Sequence, residues 1–192
     1  MDLIQSNKTN RFGIHPQKFA LWAALGSITM MFASLTSAYV VRRGAGNWLE
    51  YQIPNVFFVS TIVLLLSSVA LHISYSSFKS GQEKKYKYFM IAAFALGIIF
   101  TALQYTGWNQ LSQFGVQLNG NPSGSFFYVI SGIHVVHVLG GIASLTVALI
   151  HAFTLPFAVT EKRRHRFDLV CHYWHFVDVL WIYLLTFMIV QQ

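Results

Sequence analysis

Five unbroken apolar stretches leave this chain of 192 residues little choice of fold. They run over 18–41, 53–78, 86–111, 125–155 and 167–190, and each exceeds the ~20 residues an α-helix needs to cross about 30 Å of hydrocarbon. The linkers between them hold only about 7–13 residues, too few for a soluble domain. Lipid offers the backbone no hydrogen bonds, so each stretch is expected to satisfy its own as a helix. The expected fold is therefore an all-α, multi-pass membrane protein: a polar tail over 1–17, then one five-helix bundle over 18–192. Charged residues make up 10% of the chain, against about 25% in soluble domains, which points the same way. The tail is too long and too polar for a signal-peptide n-region, so no cleaved leader is expected.

The basic residues set an orientation. Lys8, Arg11 and Lys18 precede the first span; Lys79, Lys84, Lys85 and Lys87 flank the second linker; Lys162, Arg163, Arg164 and Arg166 fill the fourth. Only Arg42 and Arg43 fall on the other side. The positive-inside bias then predicts a cytoplasmic N-terminus and an external C-terminus. A net charge of +7 spread over loops in this way suits a lipid surface, and no nucleic-acid partner is expected. Arg42 and Arg43, side by side at the end of a span, are candidates for snorkelling or for holding a lipid headgroup. Small residues at four-residue spacing, Thr29, Ala33 and Ser37 on the first span and Gly140, Ser144 and Ala148 on the fourth, read as ridges for close helix approach.

The last span holds the strongest candidate site. Residues 172–185 place Asp178 near the centre of a membrane-length helix, where a carboxylate costs roughly 2.5–3.5 kcal/mol. At 100° per residue Trp174, His175, Asp178 and Trp181 share a face. A histidine three residues before an aspartate can hydrogen-bond to it, so His175 is the expected partner of Asp178. Asp178 is read either as an acid held for assembly or as a titrating member of a proton relay.

His134 and His137 on the fourth span, with His172 and His175 on the fifth, admit two readings: hydrogen bonds between helices, or ligation of a metal or haem. Di-iron sites in bundles recruit several carboxylates, and Asp178 is the only acid deep within a span. Gln104 and Trp108 on the third span read as interfacial anchors or as subunit contacts. The single cysteine, Cys171, excludes an internal disulfide. No broken helix or inverted repeat of the transporter kind is visible.

Two long runs carry a resemblance. Residues 173–184, Y-W-H-F-V-D-V-L-W-I-Y-L, resemble the last helix of haem-copper oxidase subunit III, which typically reads Y-W-H-F-V-D-V-V-W-L-F-L. Residues 126–142, F-F-Y-V-I-S-G-I-H-V-V-H-V-L-G-G-I, resemble that family's F-Y-x-x-T-G-x-H-x-x-H-V-x-G-G. Shorter likenesses lie at 32–41 (F-A-S-L-T-S-A-Y-V-V), at 64–68 (L-L-L-S-S) and at Gln104, in the same order. The match begins at the third of the family's seven helices, so the chain is similar to the five-helix short form of bacterial oxidases. Two departures stand out: Ile28 and Gly107 occupy places where the family often carries Glu.

The resemblance implies a non-catalytic subunit of a proton-pumping terminal oxidase in the bacterial cytoplasmic membrane. Its direct partner would be subunit I, with subunit II, subunit IV and a larger respiratory supercomplex as further candidates. The haems and copper would sit in partner subunits, this chain would carry none, and bound phospholipid is expected. Its implied work is to support the stability of subunit I, proton uptake and the access of O₂ and lipid. His134, His137, Trp174, His175, Asp178 and Trp181 would serve helix packing and bonding. A partner of a nitric-oxide reductase on the same fold and a His-ligated, metal-dependent membrane enzyme are the rival readings.

Overall fold

A computed structural model describes residues 15–191. Five helices account for nearly all of them: α1 (Pro16–Gly44), α2 (Val56–Lys79), α3 (Glu83–Gln113), α4 (Pro122–Thr154) and α5 (Glu161–Val190). All five are long and apolar enough to cross a membrane, and the chain is a multi-pass membrane protein. The expected tail over 1–17 falls almost wholly outside the described residues.

The ends differ from the expected spans for local reasons. Helix α1 starts at Pro16, whose fixed φ and missing N–H suit a first turn. Helix α2 starts at Val56 rather than 53, because Pro54 holds the residue before it extended. Helix α5 starts six residues before its apolar span. Thr160 caps Arg163 N with its side chain, so the basic segment itself is helical. Between α2 and α3 the chain reverses within three residues. Gly81, at φ +73°, takes the left-handed position, and Gln82 N donates to Ser77 O as helix α2 closes.

Buried positions recur at alternating intervals of three and four. On α2 they are Phe57, Ser60, Leu64, Ser67, Leu71, Ser74 and Phe78. On α3 they are Tyr86, Met90, Ala93, Gly97, Phe100, Gln104, Gly107 and Leu111. This 3.5-residue period is that of helices packed side by side along their length. Ser67 donates to Ala93 O and Ser74 to Tyr86 O, each at 2.8–2.9 Å, so hydroxyls of α2 bond directly to the backbone of α3.

Helix α5 is the most buried of the five and lies alongside α1, α2 and α4; α3 lies alongside α2 and α4. Helix α1 is the least buried and, among the described residues, runs beside α4 and α5 only. Its ridge of Thr29, Ala33 and Ser37 is exposed, contrary to expectation, because Phe32, Thr36 and Tyr39 take the inward face. Asn121 ties the two linkers at one end together, donating to Asn47 O and accepting from Leu49 N. At the opposite end Lys18 reaches Asp168 at 3.3 Å, and His15 lies against His165.

Candidate functional site

The buried seam of α5 is where the unusual residues meet. Trp174 is inserted between α3 and α4, and two glycines make the slot. A Cβ on Gly97 would come within 2.8 Å of the indole, and one on Gly141 within 2.8 Å of its other edge. Any larger residue at either place would push the ring out. Two turns on, Trp181 donates from Nε1 to Thr61 Oγ1 on α2 at 2.9 Å. It stacks on His134 of α4 at 4.9 Å between ring centres and meets Phe100 of α3 edge-on at 5.6 Å. The two indoles thus join α5 to α3, whose backbone is not beside it.

Asp178 lies between these tryptophans on the helix and is buried, 3% exposed. The expected hydrogen bond from His175 is absent: neither carboxyl oxygen has a partner among the described residues. Three residues turn a helix by about 300°, which leaves the two side chains some 60° apart. Asp178 points inward, while half-buried His175 turns to α2 and pairs through Nδ1 with the Ser68 hydroxyl. His72 of α2 lies beside it, 6.1 Å between ring centres.

The α4 histidines also depart from the expected inter-helix bonding. His134 is fully buried with neither nitrogen hydrogen-bonded among the described residues; its neighbours are the rings of Trp181, Phe100 and Phe32. An imidazole enclosed by aromatic faces has stacking available but no acceptor. His137 turns back to its own helix, Nδ1 against Ile133 O at 2.8 Å. Its backbone carbonyl, not its ring, links to α5 by accepting from Tyr173 at 3.0 Å. Among the described residues no group of three or more His, Cys, Asp or Glu is placed to hold a metal.

Gln104 and Trp108 lie inside the bundle. Gln104 is fully buried and donates to Ser60 Oγ at 3.0 Å, and Trp108 Nε1 donates to Ser131 Oγ on α4 at 3.0 Å. At the C-terminal end of α1, Arg42 bonds to Gly46 O and Arg43 to Gln191 Oε1, each at 3.0 Å, so Arg43 ties α1 to the end of α5. Gly97, Ser60, Thr61 and Ser74 carry no expectation from the sequence, whereas Gly141 and Ser67 fall inside runs that resemble the family. The three-four spacing of small residues along α2 and α3 was the signal for Gly97, Ser60 and Ser74.

The sequence model of cytochrome c oxidase subunit III matches residues 49–191, from the first linker to the end of α5. The chain belongs to the cytochrome c oxidase subunit III family. A subunit 3 of Corynebacterium diphtheriae is 30% identical over 80% of this chain and 77% of its own length. A probable subunit 3 of Mycobacterium bovis is 29% identical over 84% and 81%. The subunit 3 of Oryctolagus cuniculus is 33% identical over 66% of this chain but 46% of its own length, so the chain spans about half the length of such relatives. Within the subunit III family, Gly107 has a structural counterpart to its missing side chain. The ring of Phe57 fills the place, and a Cβ there would come within 2.6 Å of it. Ile28, at the other departure, is half-buried and packs against the apolar core.

Proposed function

We propose that this chain is the non-catalytic subunit III of a proton-pumping haem-copper terminal oxidase that reduces O₂ to water. It lies against the subunit carrying the redox centres and steadies it, keeps proton uptake fast and offers O₂ and lipid an apolar route. The N-terminus is cytoplasmic and the C-terminus external. The observation that carries this reading is the family match from the first linker to the end of α5, over which the aromatic seam is occupied in joining helices. Trp174 is held by two glycines and Trp181 by His134 and Thr61, which leaves that set packing the bundle. The exposed apolar faces of α1 and α2 suit contact with lipid and with a larger subunit.

Purification of the chain from native membranes by a terminal tag tests this. The expected preparation contains larger subunits with haem and copper spectra, and the chain released from it carries neither. Haem or metal retained by the released chain, or a native preparation with no oxygen-reducing partner, would overturn the reading.

A further inference from the structure

The seam between α2 and α5 carries a second pattern, separate from the tryptophans. Along α2, Ser68, His72, Tyr75 and Lys79 recur at intervals of four, three and four. Along α5, Asp168, His172, His175 and Asp178 recur at four, three and three. Such spacing keeps each set on one side of its helix. Tyr75 meets Asp168 while Thr61 meets Trp181, so the helices run antiparallel and the two polar sets adjoin. At the basic end the Asp168 carboxylate accepts from Tyr75 Oη and from Lys18 Nζ, each at 3.3 Å. His172 donates from Nδ1 to Asp168 O at 2.7 Å, which leaves its Nε2 to take up a proton. Deeper in the seam, His72 lies 6.1 Å from His175 between ring centres, and His175 Nδ1 pairs with the Ser68 hydroxyl.

Asp178 ends the series. Its carboxyl is buried and unbonded among the described residues, with the Ser68 hydroxyl within reach of it. Exposure falls in the same order: His72 and His172 are exposed, Ser68 and His175 half-buried, Asp178 buried. From Asp168 to Asp178 the helix rises about 15 Å, half of the ~30 Å hydrocarbon core. The series therefore leads from the basic end towards the middle of the membrane. Its members suit one task. Imidazole takes a proton at one nitrogen and gives one up at the other, and a hydroxyl both donates and accepts. Among the described residues no cationic side chain acts on Asp178, so the neutral acid is the form this interior tolerates. The remaining buried imidazole, His134, is enclosed by the rings of Trp181, Phe100 and Phe32, outside this seam.

We propose that Asp178 is a proton store filled from the basic end of the bundle, with Ser68 and His175 passing the proton and exposed His72 and His172 collecting it. On discharge the Asp178 O–H gives its proton to Ser68 Oγ as the Ser68 hydroxyl proton passes to His175 Nδ1. His175 releases the proton on its Nε2 to His72. One proton leaves at the surface for each that Asp178 gives up, and the acid becomes a carboxylate. The reverse passage refills the store and restores the His175 tautomer. The store is a property of this chain's own groups and holds whichever complex contains it.

Infrared spectra of the native complex in nanodiscs test this, because the C=O stretch of a protonated carboxyl lies clear of the amide and carboxylate bands. At neutral pH the wild type should show such a band that Asp178→Asn lacks; Asp178→Glu, which keeps an acid, should move it instead. Transfer to D₂O then gives the rate at which the Asp178 proton exchanges. Ser68→Ala and His175→Leu should each slow that exchange by about a hundredfold, the lower end of what a positioned proton donor contributes. Ser68→Thr, which keeps the hydroxyl, should exchange as the wild type does, and so should Ser67→Ala, whose hydroxyl bonds to α3. Wild-type and Asp178→Asn spectra that agree in this region would overturn the proposal. So would exchange left unchanged or quickened in either Ser68→Ala or His175→Leu, since a seam that was merely loosened opens more often.

Discussion

Gly107 and Phe57 are complementary halves of one contact, and they show how a missing side chain can be a structural requirement. The Phe57 ring lies 2.6 Å from where a Cβ on Gly107 would stand, so Gly107→Glu, which supplies the acid common in the family, collides with it and buries a charge. Its expected cost is on the order of 3 kcal/mol. Phe57→Ala alone should cost about 3–5 kcal/mol. The two together should cost clearly less than their sum, since the cavity made by one takes up the other. Denaturation midpoints of the four proteins in detergent close this cycle, and strict additivity would show that the two sites do not touch. At this scale the sequence was legible in part. Trp174 and Trp181 stand out as large polar-tipped rings in an apolar span, but their seats, Gly97, Gly141, Thr61 and His134, lie 33 to 120 positions away, and Gly97 and Thr61 carry no local mark. The pairing of His175 with Asp178 failed for a rotational reason: sharing a broad face is not the same as pointing at each other.

Between elements, the serines of α2 rank themselves by what they leave behind. Ser67 and Ser74 donate to carbonyls already bonded within α3, so Ser67→Ala and Ser74→Ala should each cost about 0.6 kcal/mol, the usual scale for such bonds in membranes. Ser60 accepts from Gln104 Nε2, and the Gln104 Oε1 is already without a partner among the described residues. Ser60→Ala would leave the whole buried amide without a side-chain partner among the described residues, and about 1–3 kcal/mol is expected. Unfolding of the three variants under one denaturant should give that order; a Ser60→Ala no weaker than wild type would mean that another group takes over the amide. The pairing of α2 with α3 had no expectation in the sequence, because its heptad emerges only once burial separates the inward residues from an apolar surface on every side. The small-residue ridge of α1 misled because four-residue spacing marks a smooth face without saying whether a helix or lipid lies against it.

For the whole molecule, the number of spans was plain from length and apolarity, whereas the central place of α5 was not, because each span is apolar enough to have been the middle one. Orientation has a direct measurement. With Cys171 replaced by Ser, Asn119→Cys in the third linker should react with an impermeant maleimide added to intact cells. Lys84→Cys should react only after the membrane is opened. The reverse pattern would invert the bundle. The lateral isolation of α1 bears on biogenesis. Of the five described helices it is made before the others, yet its neighbours α4 and α5 begin ~80 or more residues after it ends. At about 5–20 residues per second that is on the order of 4–16 s of solitary residence in the bilayer. During that interval the nascent chain depends on the insertion machinery, or on an already assembled companion, to keep its newest arrival from straying.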